Sequence, residues 1–247
     1  AWLMGNGLPP ISSMENVHVL ADHGAWMIYW SGLLYWFHPS IHWLLASQAL
    51  ALSITAVPVW MLAAQAGLSR RLCWFSCLLW WLQPLVFNVN LFDFHPETWV
   101  MPGLAMAIWC QRQKRLGGWL LLLVLMLGCR DGLVLVTVGL SLSLLIQRRW
   151  SWAIAGAGLS GTWILLLSQW LYPLFRDGEG PKAAGRMFAH LGDSFGEILF
   201  TLISRPWLAF TQIDVGGGAF YLLLLILPAL PFWRRRSLVI LSAALPL

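Results

Sequence analysis

Charge is scarce in this sequence. Only 10% of its 247 residues are Asp, Glu, Lys or Arg, where a soluble domain carries about 25%. A chain so poor in charge cannot cover a water-facing surface, which argues against an ordinary soluble enzyme or binding module. Cysteine chemistry is thin as well. Cys73, Cys77, Cys110 and Cys129 form no CxxC pair, so neither a disulfide framework nor a zinc site is indicated. No metal-ligand spacing of the HExxH kind is found, and no repeat or polar linker divides the chain, which is read as a single transmembrane domain over 1–247. No leader is visible. The chain opens without an initiator Met and closes inside the apolar run "SLVILSAALPL", as expected of a fragment of a longer membrane protein.

Acid is missing altogether from one set of loops. "SRR" at 69–71, "QRQKR" at 111–115, "QRR" at 147–149 and "RRR" at 234–236 hold ten of the fifteen basic residues and no Asp or Glu. All ten acids and all six histidines fall in the other loops. The positive-inside rule makes the basic set cytoplasmic and the acidic, His-bearing set extracytoplasmic. The net charge of +5 is therefore topological anchoring and not a nucleic-acid footprint.

What is abundant is apolar surface. The chain is 59% apolar, with a mean hydropathy of +0.71 and 18 tryptophans. Several of these, such as Trp74, Trp99, Trp119, Trp150 and Trp233, stand near the ends of apolar runs, as in interfacial aromatic belts. Apolar segments run over 41–66, 72–91, 97–110, 116–128, 133–147, 150–174 and 217–233, with another from 237. A short Trp- and Tyr-rich segment at 25–37 suits an interfacial or re-entrant helix. The expected fold is all-α, a polytopic transmembrane helical bundle with short interfacial helices on the extracytoplasmic side. The bilayer is its first partner.

Two of these segments are too short to cross. At about 14 residues each and about 1.5 Å per residue, 97–110 and 116–128 reach roughly 21 Å, against a hydrocarbon core of about 30 Å. Their basic ends are pinned by "QRQKR", so their other ends stop below the outer surface. Polar backbone at that depth is tolerated where it lines a cavity or is buried in protein. A recessed polar pocket is therefore expected at "FDFHPE" (92–97) and "CRDG" (129–132).

In "FDFHPE", Pro96 biases His95 out of helical conformation and suits the first position of the next helix. Glu97 then falls in a first helical turn, where capping and the macrodipole explain it. They do not explain both Asp93 and His95, which an extended strand turns the same way. Ionisable groups at membrane depth are functional candidates by default. In "CRDG", Arg130 and Asp131 suit the dipoles of adjoining helix ends or a local salt bridge; alternatively Arg130 binds an anion such as a lipid phosphate. Asp22 and His23 precede the aromatic segment. Taken alone, that pair reads as a solvated surface pair. Together, Asp22, His23, Asp93, His95, Glu97 and Asp131 offer mixed carboxylate and imidazole ligands, which suit a divalent cation such as Mg, Mn or Zn. The loop 176–216 carries Met187, Phe188, Leu191, Phe195, Ile198, Leu199 and Leu202 at helical spacing, expected to form an amphipathic helix on the outer leaflet.

"DFHPE" and "AHLGDSFGEILFTLISRPW", with the Asp22–His23 pair before them and "FYLLLLILPALPFW" after, resemble the bacterial integral-membrane family called domain of unknown function 2079. That family is similar in architecture to GT-C-type glycosyltransferases. The resemblance implies a multi-span enzyme of the bacterial cytoplasmic membrane that takes a polyprenyl-phosphate-linked sugar at the extracytoplasmic face. It makes Asp22 and Asp93 the candidate bases, and His23, His95, Glu97, Arg130 and Asp131 candidate substrate-binding residues. Where such proteins often read Lys-Glu-Asp, this chain has Arg130, Asp131 and Gly132, one acid fewer. A transporter or flippase of a lipid-linked or anionic solute and a non-catalytic assembly partner are the rival readings.

Overall fold

The computed structural model describes residues 1–13, 16–175, 189–192, 195–211 and 215–226. Among them there are α-helices and no strand. The basic loop 234–236, the apolar run from 237 and, within the loop 176–216, residues 176–188, 193–194 and 212–214 lie outside the described residues.

A short helix α1 (Trp2–Gly5), then α2 (Val19–His23) and α3 (Tyr29–Phe37), precede the first span. Helices α4 (His42–Ile54) and α5 (Ala56–Gln65) continue each other as one 24-residue apolar unit. The Thr55 hydroxyl at their junction donates to Ala51 O (2.8 Å), so its polar group is satisfied within the helix. Next come α6 (Arg70–Trp81) and α7 (Pro84–Leu91), bent by 44°. The break falls at Pro84, which cannot donate into the preceding turn and instead starts α7.

Helices α8 (Val100–Arg112), α9 (Leu116–Leu127) and α10 (Leu133–Ile146) are 13, 12 and 14 residues long. At about 1.5 Å per residue none exceeds about 21 Å, so the expected shortness is real. By contrast α11 (Trp150–Leu166), a π-helical turn (Leu167–Leu171) and α12 (Tyr172–Phe175) form one 26-residue apolar unit. Two hairpins, α8–α9 and α10–α11, build the core. Both turn through a basic residue in left-handed conformation, Lys114 at φ 59° and Arg148 at φ 58°. The two turns are tied together: Arg149 Nη1 donates to Gln111 O (2.7 Å), and Gln111 Nε2 to Gln147 Oε1 (3.2 Å). These basic turns share one end of the bundle, and the acidic turns gather at the other.

Trp119, Leu123, Met126 and Leu144 fill the centre. Gly156 lies so close to Trp119 and Ser141 that a Cβ there would overlap both, the close approach that small residues give membrane helices. Buried hydroxyls are paired, as between Thr137 and Ser160 (2.8 Å). Outside, the polarity is that of a lipid-facing surface: Trp36, Phe37, Leu91 and Trp170 are each more than 70% exposed.

The outer amphipathic helix differs from its sequence expectation. Helix α13 is described over Phe195–Ser204, while Ala189–Leu191 form a turn. Gly192, at φ 154°, adopts a backbone that other residues rarely reach and breaks the apolar period. Met187, Phe188 and Asp193 lie outside the described residues. Phe200 and Ile203 on α13 are left exposed. The last described helix is α14 (Val215–Ile226).

Candidate functional site

Four separate segments meet at the acidic end, above the short helices. The first is α2. His18 precedes it, and its Nδ1 accepts the Leu20 N–H (3.3 Å). Gly24 ends it at φ 60°, with Leu167 packed where a Cβ would be. Asp22 and His23 therefore sit on a fixed last turn.

The second segment is the stretch from Phe92 to Trp99. His95 is extended (φ −131°, ψ 119°) as the residue before Pro96 must be, and Pro96 opens a single 3-10 turn, Pro96–Trp99, that carries Glu97. Gln48, fully buried on α4, holds this stretch: its Oε1 accepts the His95 N–H (3.0 Å) and its Nε2 donates to Val89 O (3.0 Å).

The third segment is the turn after α9. Arg130 and Asp131 both lie in the turn itself, rather than on the flanking helices. Gly128 gives the Trp26 indole room to pack directly on the backbone. Met27 N–H donates to Gly128 O (2.9 Å) and Asp131 N–H to His23 O (2.8 Å), locking the turn to the α2–α3 region. The fourth is Tyr172, just after the π-helical turn.

The side chains then converge. Arg130 Nη1 donates to Glu97 Oε1 as an ion pair, and its Nη2 lies 3.4 Å from His23 Nε2. His23 Nδ1 is 3.4 Å from Asp131 Oδ1, and His23 Nε2 is 3.6 Å from Asp22 Oδ2. Asp131 also accepts from the Tyr172 hydroxyl (2.9 Å) and the Gly132 N–H (2.8 Å). Burial raises the Asp131 carboxyl, but the His23 ring, the Tyr172 hydroxyl and the Gly132 N–H outweigh it and hold it below the usual carboxylate value. Burial, helped by the Glu97 charge, pushes the neighbouring Cys129 thiol up to about 12, the mark of a dry setting. Glu97 Oε2 is buried with no hydrogen-bond partner among the described residues, whereas His23 Nδ1 faces Asp131.

Asp93 and His95 stand apart. Their side chains meet each other, Oδ1 to Nδ1 at 3.1 Å, with Asp93 75% exposed and His95 41%. The structure thus brings Asp22, His23, Glu97, Arg130 and Asp131 together and leaves Asp93 and His95 as their own pair. Among the described residues, no group of three or more His, Cys, Asp or Glu is arranged to hold a metal ion; the cation at the centre of the cluster is the Arg130 guanidinium. Tyr172 and Gln48 were not legible as site residues. A tyrosine ending a long apolar run, needing a partner for its hydroxyl, is the signal that would have found the first.

An apolar slot of about 260 Å³ lies between α8 and α9, lined in part by Trp99 and Cys129, sequence neighbours of the cluster. A wider cleft of about 770 Å³, lined in part by Leu8, Asn16, His18 and Phe175, lies at the opposite end of α2. No curated protein and no solved structure matches this chain. The family model described as a predicted membrane protein, DUF2079, matches residues 1–247, and the chain belongs to that family.

Proposed function

We propose that this chain is a GT-C-like glycosyltransferase module that transfers a sugar from a polyprenyl-phosphate donor at the extracytoplasmic face of a bacterial cytoplasmic membrane. The observation that supports it most is the convergence of Asp22, His23 and Arg130 from separate segments, at the recessed end of helices too short to cross. Sugar transfer from a lipid phosphate needs a base for the acceptor hydroxyl and a cation for the departing phosphate. Asp22 is half-exposed beside His23 and takes the hydroxyl proton as the oxygen bonds to the anomeric carbon. The bond from that carbon to the phosphate oxygen breaks, and Arg130 stabilises the charge the phosphate gains. Asp131 and Glu97 hold His23 and Arg130 in place. Asp93 and His95, on the exposed side of their turn, serve acceptor contact and not the bond exchange.

The test is release of polyprenyl phosphate from a labelled donor by the full chain in native membranes, with sidedness fixed by labelling of introduced cysteines. Asp22→Asn and Arg130→Ala should each abolish release; unchanged release in both would end this reading. All four natural cysteines are buried, so labelling background is low. A Cys placed at Asp93 should react from outside, and one at Gln113 should not.

The charge balance favours a second reading. Three carboxylates, Asp22, Glu97 and Asp131, face one guanidinium and one imidazole, and chains of acids and histidines inside membranes also serve transporters. Movement of an intact lipid-linked solute across vesicles, with no phosphate released, would identify a flippase.

A further inference from the structure

At the basic end of the bundle one turn is built twice. Lys114 and Arg148 stand just past the ends of α8 and α10, at φ 59° and 58°. In each turn the next N–H reaches back to a helix carbonyl, Arg115 to Cys110 O and Arg149 to Leu144 O, both at 2.9 Å. Glycine is the usual residue at such a left-handed helix end, and here a cation takes its place both times. The helix dipole accounts for a cation such as Arg112, in the last turn of α8. That attraction does not require a cation in the left-handed position of both turns.

Two of the cations there are already engaged. Arg149 Nη1 donates to Gln111 O (2.7 Å) and holds the turns side by side. The Arg115 guanidinium lies over the Trp109 ring, 5.0 Å from its centre. Arg112, Lys114 and Arg148 are exposed, and among the described residues their side chains make no ion pair or hydrogen bond. No Asp or Glu lies within 98–130 or 132–175, so the acids that could neutralise them stand at the opposite end. Trp150, 61% exposed, and Ile146, 58% exposed, flank Arg148 and Arg149 in sequence. An exposed tryptophan beside a basic turn belongs at the headgroup layer of a bilayer, which gives the free cations a lipid phosphate as their nearest anion.

We infer that the paired turns form a headgroup site for a bilayer phospholipid carrying two phosphates, of the diphosphatidylglycerol class, one phosphate at Arg112 and Lys114 and the other at Arg148. The Gln111 contacts to Arg149 and Gln147 fix the two turns beside each other, and two linked phosphates match two linked turns. A lipid with one phosphate meets one turn and leaves the other's cation unpaired. The acyl chains lie against the exposed Trp150 and Ile146. This site is at the opposite end of the bundle from Arg130 and is independent of sugar transfer.

The experiment is native mass spectrometry of the full chain in detergent, titrated with diphosphatidylglycerol or, at equal phosphate, with phosphatidylglycerol. Diphosphatidylglycerol should bind about tenfold or more tightly, since its second phosphate binds as a linked group. Lys114→Gly with Arg148→Gly removes both cations and leaves the residue that suits a left-handed turn. It should weaken binding about 30-fold, at about 1 kcal/mol per cation. Arg70→Gln with Arg71→Gln removes as much charge from the turn at 69–71, which no hydrogen bond among the described residues ties to the pair, and should leave binding unchanged. On the natural chain, hydrogen exchange should slow at 112–118 and 147–153 when diphosphatidylglycerol is added, and not at 69–75. Equal affinity for the two lipids, or equal losses from the two double variants, would reduce the basic end to charge anchoring and overturn the site. Protection confined to other segments would overturn it even if the glycine variant misfolds, because exchange is read on the natural chain.

Discussion

Asp93 and His95 meet at 3.1 Å within one turn, and Asp93 stays 75% exposed. His23 and Asp131 come from distant parts of the chain, meet at 3.4 Å, and leave Asp131 only 19% exposed. The first pair needs nothing but a short extended stretch before a proline. The second needs α2 to end at Gly24, the 128–132 turn to hydrogen-bond onto it, and the π-helical turn to deliver Tyr172. Local chemistry at two residues' spacing is cheap to make and easily solvated. A contact built from four segments is held in one geometry, and in a dry setting its charges act more strongly. Asp–His composition is therefore a poor guide to which pair does the work.

The largest expected contrast is in turnover. Arg130→Ala removes the guanidinium of the partly buried cluster and should lower sugar transfer about 100-fold or more, the scale for losing a donor to developing charge. Asp93→Asn should cost less than about fivefold, since its partner is solvated. Arg205, exposed outside the cluster, is the control: Arg205→Ala should leave turnover unchanged. Initial rates in membranes at matched expression decide it, and equal losses at Asp93 and Arg130 would erase the distinction.

Stability should separate the pairs next. Tyr172→Phe deletes a hydrogen bond to a buried carboxylate and should cost about 1.5–3 kcal/mol. His95→Gln should stay within about 0.5 kcal/mol, as exposed substitutions do. Thermal unfolding in one detergent, compared across both variants, is the measurement. A larger loss at His95 would mean that its turn, and not the cluster, carries the stability of this end.

Acid sharpens the same comparison. The Asp131 carboxyl is held below its ordinary value in the fold. Its contribution is thus present above the unfolded value and lost as pH falls through the lower folded value. Melting temperature should fall below about pH 4, and Asp131→Asn should flatten that part of the profile while lowering the plateau. A wild-type profile with the same acid slope as Asp131→Asn would show that other carboxylates set it.

The bundle was legible because the signals behind it are long and repetitive. Basic loops without acid marked one end, and the lengths of 97–110 and 116–128 marked a recess at the other. Charge at membrane depth also marked Glu97, Arg130 and Asp131, since each must find a partner there, whereas Asp22 and His23, alone a solvated surface pair, entered only with the mixed ligand set and the family resemblance. What the sequence hid is orientation. Spacing placed Asp93, His95 and Glu97 together, but Pro96 separates an extended stretch from a 3-10 turn, and only Glu97 turns toward Arg130. Tyr172 was hidden for another reason. A π-helical turn inserts a residue into the helical period and rotates all that follows, so a face read at 3.6 residues per turn does not place it. Gln48, polar within an apolar run, could have been taken as a helix-packing residue; its carbonyl and N–H contacts show that it secures the His95 backbone.

The smallest expected effect tests whether the two regions are one site after all. Asp93 and Arg130 share no partner in the structure: Asp93 bonds within its own turn, while Arg130 bonds Glu97 and faces His23. Substitutions without shared partners add to within about 0.3–0.5 kcal/mol, whereas members of one network deviate by about 0.5–3 kcal/mol. Asp93→Asn combined with Arg130→Ala should therefore destabilise by the sum of the single effects. Glu97→Gln combined with Arg130→Ala should fall well short of its sum, because either substitution alone already breaks the ion pair. The two double-mutant cycles, run on the same unfolding assay, give opposite expectations from residues in one six-residue stretch. A coupling above about 1 kcal/mol between Asp93 and Arg130 would join the exposed pair to the buried cluster, and would return Asp93 to the place beside Asp22 that the sequence alone assigned to it.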